Sequence, residues 1–277
     1  MDKVDRLGWA AGVSFDAYGL RIGVRVSDAT GFDRVREFLP PGWKEARSSV
    51  VDRLYSIRVG GEGPRPGMRR FNILYLDGGW IYRSLDFDQI LEYFETNLHN
   101  WVALYAHRRV FVHAGVVGWK GKAVVIPGHS LSGKTTLVTE LVRAGATYYS
   151  DEFAVLDSHG RAHAFARPLG VREEGEVIQT RCAIEDLGGV AGVRPLPVKM
   201  VVFSQYKQGA RWRPRQLSEG QGVLALLGHA RAVRIRPQNT LAAMREVASR
   251  STILKGVRGE ARETVDFILD YLDNTLS

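Results

Sequence analysis

Residues Gly128-His129-Ser130-Leu131-Ser132-Gly133-Lys134-Thr135 spell G-x-x-x-x-G-K-T just after the apolar run Ala123–Ile126. This spacing suits a loop that wraps phosphate. The first turn of a helix carries unpaired backbone N–H groups and the positive end of a dipole, which together favour an anion. Gly128 and Gly133 permit close approach and left-handed dihedrals. Lys134 can reach the outer phosphates of a polyphosphate, and the Thr135 hydroxyl can ligate Mg²⁺. Ser130, Ser132 and Thr136 complete the set of residues expected around the phosphates. Seventeen positions beyond Lys134 stands Ser150-Asp151-Glu152. Carboxylates at a strand end beside such a loop can hold a metal or its water, and one can act as base toward a hydroxyl.

The flanking pattern supplies the strand and helix that this chemistry needs. Ala123–Ile126 reads as a strand, and Leu137, Val138, Leu141 and Val142 fall at helical spacing before a C-capping Gly145. Val110–Val117, Ala146–Tyr149 and Phe153–Leu156 read as strands packed around that helix. Further strands are expected at Arg161–Phe165 and Val198–Phe203, and helices at Thr240–Ser249 and Glu260–Leu272.

Upstream, residues 11–27 alternate around a turn at Tyr18-Gly19, which predicts a hairpin. A short helix is expected at Gly31–Phe38, stopped by Pro40-Pro41-Gly42. Strands follow at Arg53–Val59, Phe71–Leu76 and Gly79–Arg83. A long helix begins at Asp86 with Gln89 at the capping-box position and ends near His107-Arg108-Arg109. Its stripe of Phe87, Ile90, Leu91, Phe94, Leu98, Trp101, Val102 and Tyr105 reads as core. The expected organisation is a small α+β region over residues 1–106 and a nucleotide-binding α/β domain over 107–277.

One cysteine, Cys182, rules out an intrachain disulfide and suits a reducing compartment. The first residues lack the apolar core of a signal peptide, and no apolar run is long enough to span a membrane. A cytoplasmic protein without membrane attachment is the expectation. The net charge is +8, and residues 194–236 hold nine Lys and Arg against Glu219 alone. That concentration reads either as solvated loops or as a positive rim steering an acidic partner. Trp212 within Arg211-Trp212-Arg213-Pro214-Arg215 would suit nucleic-acid stacking. No zinc-ligand cluster or other nucleic-acid-binding signature accompanies it, so nucleic acid is not the expected partner. Nucleophilic hydrolase motifs such as G-x-S-x-G are also absent from the sequence.

His113-Ala114-Gly115, the loop 128–135, Arg143-Ala144-Gly145 and Ser150-Asp151-Glu152 together resemble the core of the HPr serine kinase/phosphorylase family. That core is also similar to phosphoenolpyruvate carboxykinase. The short step from loop to acids is the most discriminating part of the resemblance. It implies a mixed-sheet phosphate-loop kinase core. It further implies Asp151 as general base toward a serine hydroxyl, Glu152 holding Mg²⁺ with Thr135, and His113 supporting the acids. A related group is the HPr-kinase-like enzymes of bacterial peptide modification, including kinases of lasso-peptide precursors. Arg167-Pro168-Leu169 and the segment Leu254–Ala261 look like elements of it, which makes Arg167 and Arg258 candidates for contacting phosphate.

Leu131, Thr136 and Glu152 depart from the family pattern, and the resemblance covers Val110–Asp157. It implies an ATP- and Mg²⁺-dependent kinase acting on serine of a protein or peptide. Phosphorylation of free serine or a sugar-like alcohol, and nucleotide-binding regulation without catalysis, stay open beside it. Because HPr kinases are oligomers, a homo-oligomer also stays open.

Overall fold

The computed structural model describes residues 3–129, 132–171 and 180–275. The chain separates into two compact units, residues 1–107 and 108–277. Both mix helices with strands, and both parallel and antiparallel pairings occur.

In the first unit, β1 (Ala11–Ala17) and β2 (Leu20–Val26) form the hairpin. Its two-residue turn holds Tyr18 at φ 53° and Gly19 at φ 86°, the left-handed pair that matches strand twist. The chain continues through α1 (Ala29–Arg36), β3 (Lys44–Glu45) and β4 (Arg53–Arg58). Next come β5 (Gly61–Glu62), β6 (Arg69–Arg70), β7 (Asn72–Leu76), β8 (Gly79–Ser84) and α2 (Phe87–Tyr105). The main sheet has the order β3-β1-β2-β4-β7-β8, with β2 and β4 parallel. Asp86 caps α2 by accepting from the Asp88 N–H at 2.9 Å. The expected capping box does not form, because Gln89 instead accepts from the Ser84 hydroxyl. Along α2, Ile90, Leu91, Phe94, Leu98 and Val102 are buried, while Tyr105 lies exposed at the helix end.

The second unit begins with β9 (Val110–Trp119), β10 (Lys122–Pro127), α3 (Lys134–Arg143), β11 (Thr147–Ser150) and β12 (Phe153–Leu156). It continues with β13 (Arg161–His163), β14 (Leu169–Val171), β15 (Thr180–Cys182), β16 (Leu196–Tyr206) and β17 (Arg215–Gln216). It ends with α4 (Glu219–Leu227), α5 (Pro237–Arg250), β18 (Thr252–Arg258) and α6 (Ala261–Thr275). Strand β9 pairs antiparallel with β10 on one edge and with β11 and then β12 on the other. Strand β13 links β12 to β16, and β16 runs parallel to β10, so the pairing closes on itself. Strand β18 adds parallel to β16.

Side chains of this sheet feed two cores. Val124 and Ile126 pack with α3 and α6, whereas Ala123 and Val125 pack with α4 and α5. Covered on both faces, β9 and β10 read as nearly continuous apolar runs. Trp212 belongs to the α6 side, 7% exposed and edge-on to Phe267, so its indole is a core group rather than a stacking platform. Among the described residues no helix is long and apolar enough to cross a membrane.

Candidate functional site

Strand β9 organises the site. On one edge Pro127 of β10 pairs with Ala114, so the chain leaves the sheet at Gly128, whose N–H donates to the His113 carbonyl at 3.4 Å. On the other edge Phe153 pairs with His113, and the Ala114 N–H donates to the Glu152 carbonyl at 3.2 Å. The glycine-rich loop and the acidic pair therefore emerge at the same level, on either side of His113. Gly115 lets α3 lie against this strand. A Cβ there would sit 2.5 Å from Val138 Cγ2 and 3.3 Å from Lys134 Cγ.

Helix α3 starts from Gly133, held in the left-handed region at φ 80°. No side chain caps its N-terminus, so its first N–H groups remain for other acceptors. Gly128 is confined too, since a Cβ there would meet Ser132 Oγ at 2.4 Å. Ser130 and Leu131 lie outside the described residues, and Thr136 is exposed on the first turn of α3.

Lys134, 8% exposed, places Nζ 3.2 Å from His113 Nε2. Burial lowers the lysine's affinity for its proton, opposed by the charges of Asp151 and Glu152. Burial, reinforced by Lys134 and Arg231, holds His113 down to about 4. The imidazole is therefore neutral near pH 7, and Nε2 accepts a hydrogen bond from the ammonium. The Thr135 hydroxyl donates to Asp151 Oδ2 at 2.7 Å. Asp151 Oδ1 is buried with no hydrogen-bond partner among the described residues. Burial pushes this carboxyl up to about 6, against the pull of Lys134 and the Thr135 hydrogen bond.

The acids thus take different environments. Asp151 faces Thr135 and Lys134, whereas Glu152 forms an ion pair with Arg167. Of the metal pair expected from the sequence, Thr135 is hydrogen-bonded to Asp151, and Glu152 is ion-paired with Arg167. Arg258, at the end of β18, donates through Nη2 to the Gly133 carbonyl at 2.7 Å, so it braces the loop.

One further residue, His229, reaches the site from outside every sequence motif. The segment after α4 pairs alongside β9: the His113 N–H donates to the His229 carbonyl and the Arg231 N–H to the Phe111 carbonyl, both at 2.9 Å. His229 then packs its ring 4.7 Å from that of His129, inside the loop, and 5.8 Å from Phe203. Burial holds His229 down to about 4, with His129, Lys134 and Lys255 adding to the effect. An isolated histidine in an irregular linker carries no sequence signal for such a position.

No protein-family model matches the chain, and no curated protein matches it significantly in sequence. Among solved structures it is similar to the Hpr(Ser) kinase/phosphatase from Coxiella burnetii, at 12% identity and a TM-score of 0.30, over 59% of this chain and 88% of that one. This is a distant likeness that fixes neither activity nor the roles of residues.

Proposed function

We propose that this chain is an ATP- and Mg²⁺-dependent kinase that transfers a phosphoryl group to a serine hydroxyl of a protein or peptide. The observation that carries the reading is Asp151, a buried carboxylate at the mouth of the glycine-rich loop with one oxygen held by Thr135 and the other without a hydrogen-bond partner among the described residues.

The surroundings fit a bound polyphosphate. Gly128 and Gly133 keep the loop backbone clear of side chains, and α3 offers uncapped N–H donors. Lys134 would bind the outer phosphates, its ammonium oriented by neutral His113. Ser130, Ser132 and Thr136 would add donors around the loop. Thr135 would hold Mg²⁺ through its oxygen lone pairs, since its proton is already given to Asp151. Glu152, ion-paired with Arg167 through Oε2, would join it through its other carboxylate oxygen. Bound magnesium would offset charge on the phosphate oxygens.

Asp151 Oδ1 takes the proton of the acceptor hydroxyl. A carboxyl raised to about 6 is a stronger base than an ordinary aspartate yet still ionised at neutral pH, the balance that general-base catalysis favours. The desolvated setting that raises it also strengthens the attraction of Lys134 for anionic oxygens.

The basic stretch supports an acidic macromolecular acceptor. Arg231 and Lys255 lie near enough to act electrostatically on His113 and His229, and Arg211, Arg213 and Arg215 are exposed. Such a rim would steer an acidic peptide toward the loop. A homo-oligomer and a cytoplasmic location are part of the same reading.

The test is calorimetry of ATP with and without Mg²⁺ on wild type and Lys134→Ala, followed by labelled-ATP transfer to acidic peptide pools and to free serine. Magnesium-dependent binding lost in the variant, with label passing to peptide, is the expected result. Label passing only to free serine would make this a small-molecule kinase. Binding without transfer would leave a nucleotide-dependent regulator, and absence of binding would end the kinase reading.

A further inference from the structure

Among the described residues Arg258 is the largest fully buried side chain, 1% exposed, at the end of β18. Its fork is spent on two neutral carbonyls, Nη2 on Gly133 at 2.7 Å and Nη1 on Gly259 at 2.8 Å. Nε is buried with no hydrogen-bond partner among the described residues. The guanidinium lies 5.5 Å from the Tyr206 ring centroid, and among the described residues no carboxylate forms an ion pair with it. The nearest acid, Glu260, is exposed and bonded to the Tyr206 hydroxyl at 3.3 Å.

A desolvated cation without a counter-charge is costly. Here it sits against the carbonyl that precedes α3, beside the positive end of that helix. Lys134 has the buried Asp151 to offset it, whereas the acid that acts on Arg258, Glu260, is exposed and screened by solvent. Bracing a carbonyl alone would not require a full charge. Gly133 is bound into the arrangement as well, because a Cβ at that position would approach Arg258 Nη2 to 2.5 Å.

We propose that Arg258 is a positioning residue of the loop, holding Gly133 so that the first N–H groups of α3 face one point, and that its buried charge is balanced by a polyphosphate bound there. The anion half rests on the polyphosphate reading above; the bracing half does not. Strand β18 and the loop are then coupled through one side chain. Ligand strengthens the contact by neutralising the cation, and the contact preorganises the donors for ligand.

The experiment compares wild type, Arg258→Lys and Arg258→Met. Inorganic tripolyphosphate binding is measured by calorimetry at low and moderate salt, and amide hydrogen exchange is followed over residues 132–137 of the free protein. Far-UV circular dichroism checks that each variant folds. Arg258→Met should bind tripolyphosphate on the order of 10- to 100-fold more weakly, the loss expected for one charge-assisted contact. It should also exchange faster over the first turn of α3. Arg258→Lys should recover part of the affinity and little of the protection, because it restores charge but not the fork.

Equal affinities for the Lys and Met variants would show a brace without an electrostatic role and overturn the anion half. A folded Arg258→Met with wild-type affinity and wild-type exchange would overturn the whole proposal. If the wild type binds no polyphosphate, the functional reading and the anion half fall together, while faster exchange in the variants would still support the brace. If Arg258→Met does not fold, Arg258→Lys decides by the same two measurements.

Discussion

Replacing Asp151 by Asn should abolish activity and stabilise the protein, and the second effect can be worked from the structure. The carboxyl is pushed up to about 6 from an ordinary 3.8, chiefly by burial. The folded state therefore binds this proton more tightly than the unfolded chain does. Below pH 4 both states are protonated and the site carries no penalty. Between pH 4 and 6 the unfolded chain gives up this proton while the folded protein still holds it, so stability is lost across that range and levels off above it. At ~1.4 kcal/mol per unit, a shift of about two units withholds roughly 3 kcal/mol above pH 7. Asparagine keeps the shape and can still accept from Thr135, but it never ionises. Thermal denaturation of the ligand-free protein in chelator, from pH 3.5 to 8, should show Asp151→Asn ahead at pH 8 by on the order of 10 °C. The two curves should converge near pH 4. In the same variant phosphoryl transfer should drop ~10²–10⁴-fold. If Asp151→Asn were no more stable than wild type at pH 8, Lys134 and Thr135 would be compensating the burial in full, and the argument for a raised, poised base would fail.

Other perturbations test the supports of the site. His113 and His229 are held neutral with values near 4, so the stability they contribute is complete above pH 6.5 and is lost as pH falls toward 4. His113→Gln and His229→Asn should each flatten the acid limb of a stability-against-pH curve, and a limb parallel to that of wild type would refute the assignment. Gly115→Ala puts a Cβ 2.5 Å from Val138 and should cost ~1–3 kcal/mol, read as a lower urea midpoint, together with weaker ATP binding. An unchanged midpoint would mean that α3 does not lie that close to β9. Ser218→Ala removes the capping box of α4 and should cost ~1 kcal/mol without touching nucleotide affinity. A change in affinity would show that α4 communicates with the site.

Local chemistry explains which parts of this molecule can be read from residues alone. The strand before the loop, the turn at Gly133 and the periodicity of α3 depend on neighbours within a few positions, and all three stand where that logic puts them. Strand β18 and helix α4 were missed for a common reason. Gly256 and two cations interrupt the apolar pattern of β18, while Gly220 and Gly222 argue against a helix at 219–227. Distant packing overrides both signals. A Cβ at Gly222 would lie 2.2 Å from Ile253 Cδ1, and one at Gly256 would lie 3.0 Å from the Trp212 ring. These glycines mark close approach between elements far apart in sequence, and they look like breakers until the partner is known.

The same distinction governs the site. Spacing locates the acidic pair, but which acid turns toward Thr135 depends on where Arg167 sits, and Arg167 lies beyond strands β12 and β13. His113 could be singled out only through the family resemblance of His113-Ala114-Gly115. His229 could not, because only the pairing of residues 229–231 against β9 brings its ring to His129. Arg258 is the sharpest case. The resemblance offers it as a contact for phosphate, whereas the fold makes it a buried cation on the carbonyl before α3. A short motif thus names the groups that would touch phosphate. The groups that set their charge and hold them in place come partly from neighbouring strands, as with His113 and Asp151, and partly from β18 and the segment after α4, as with Arg258 and His229.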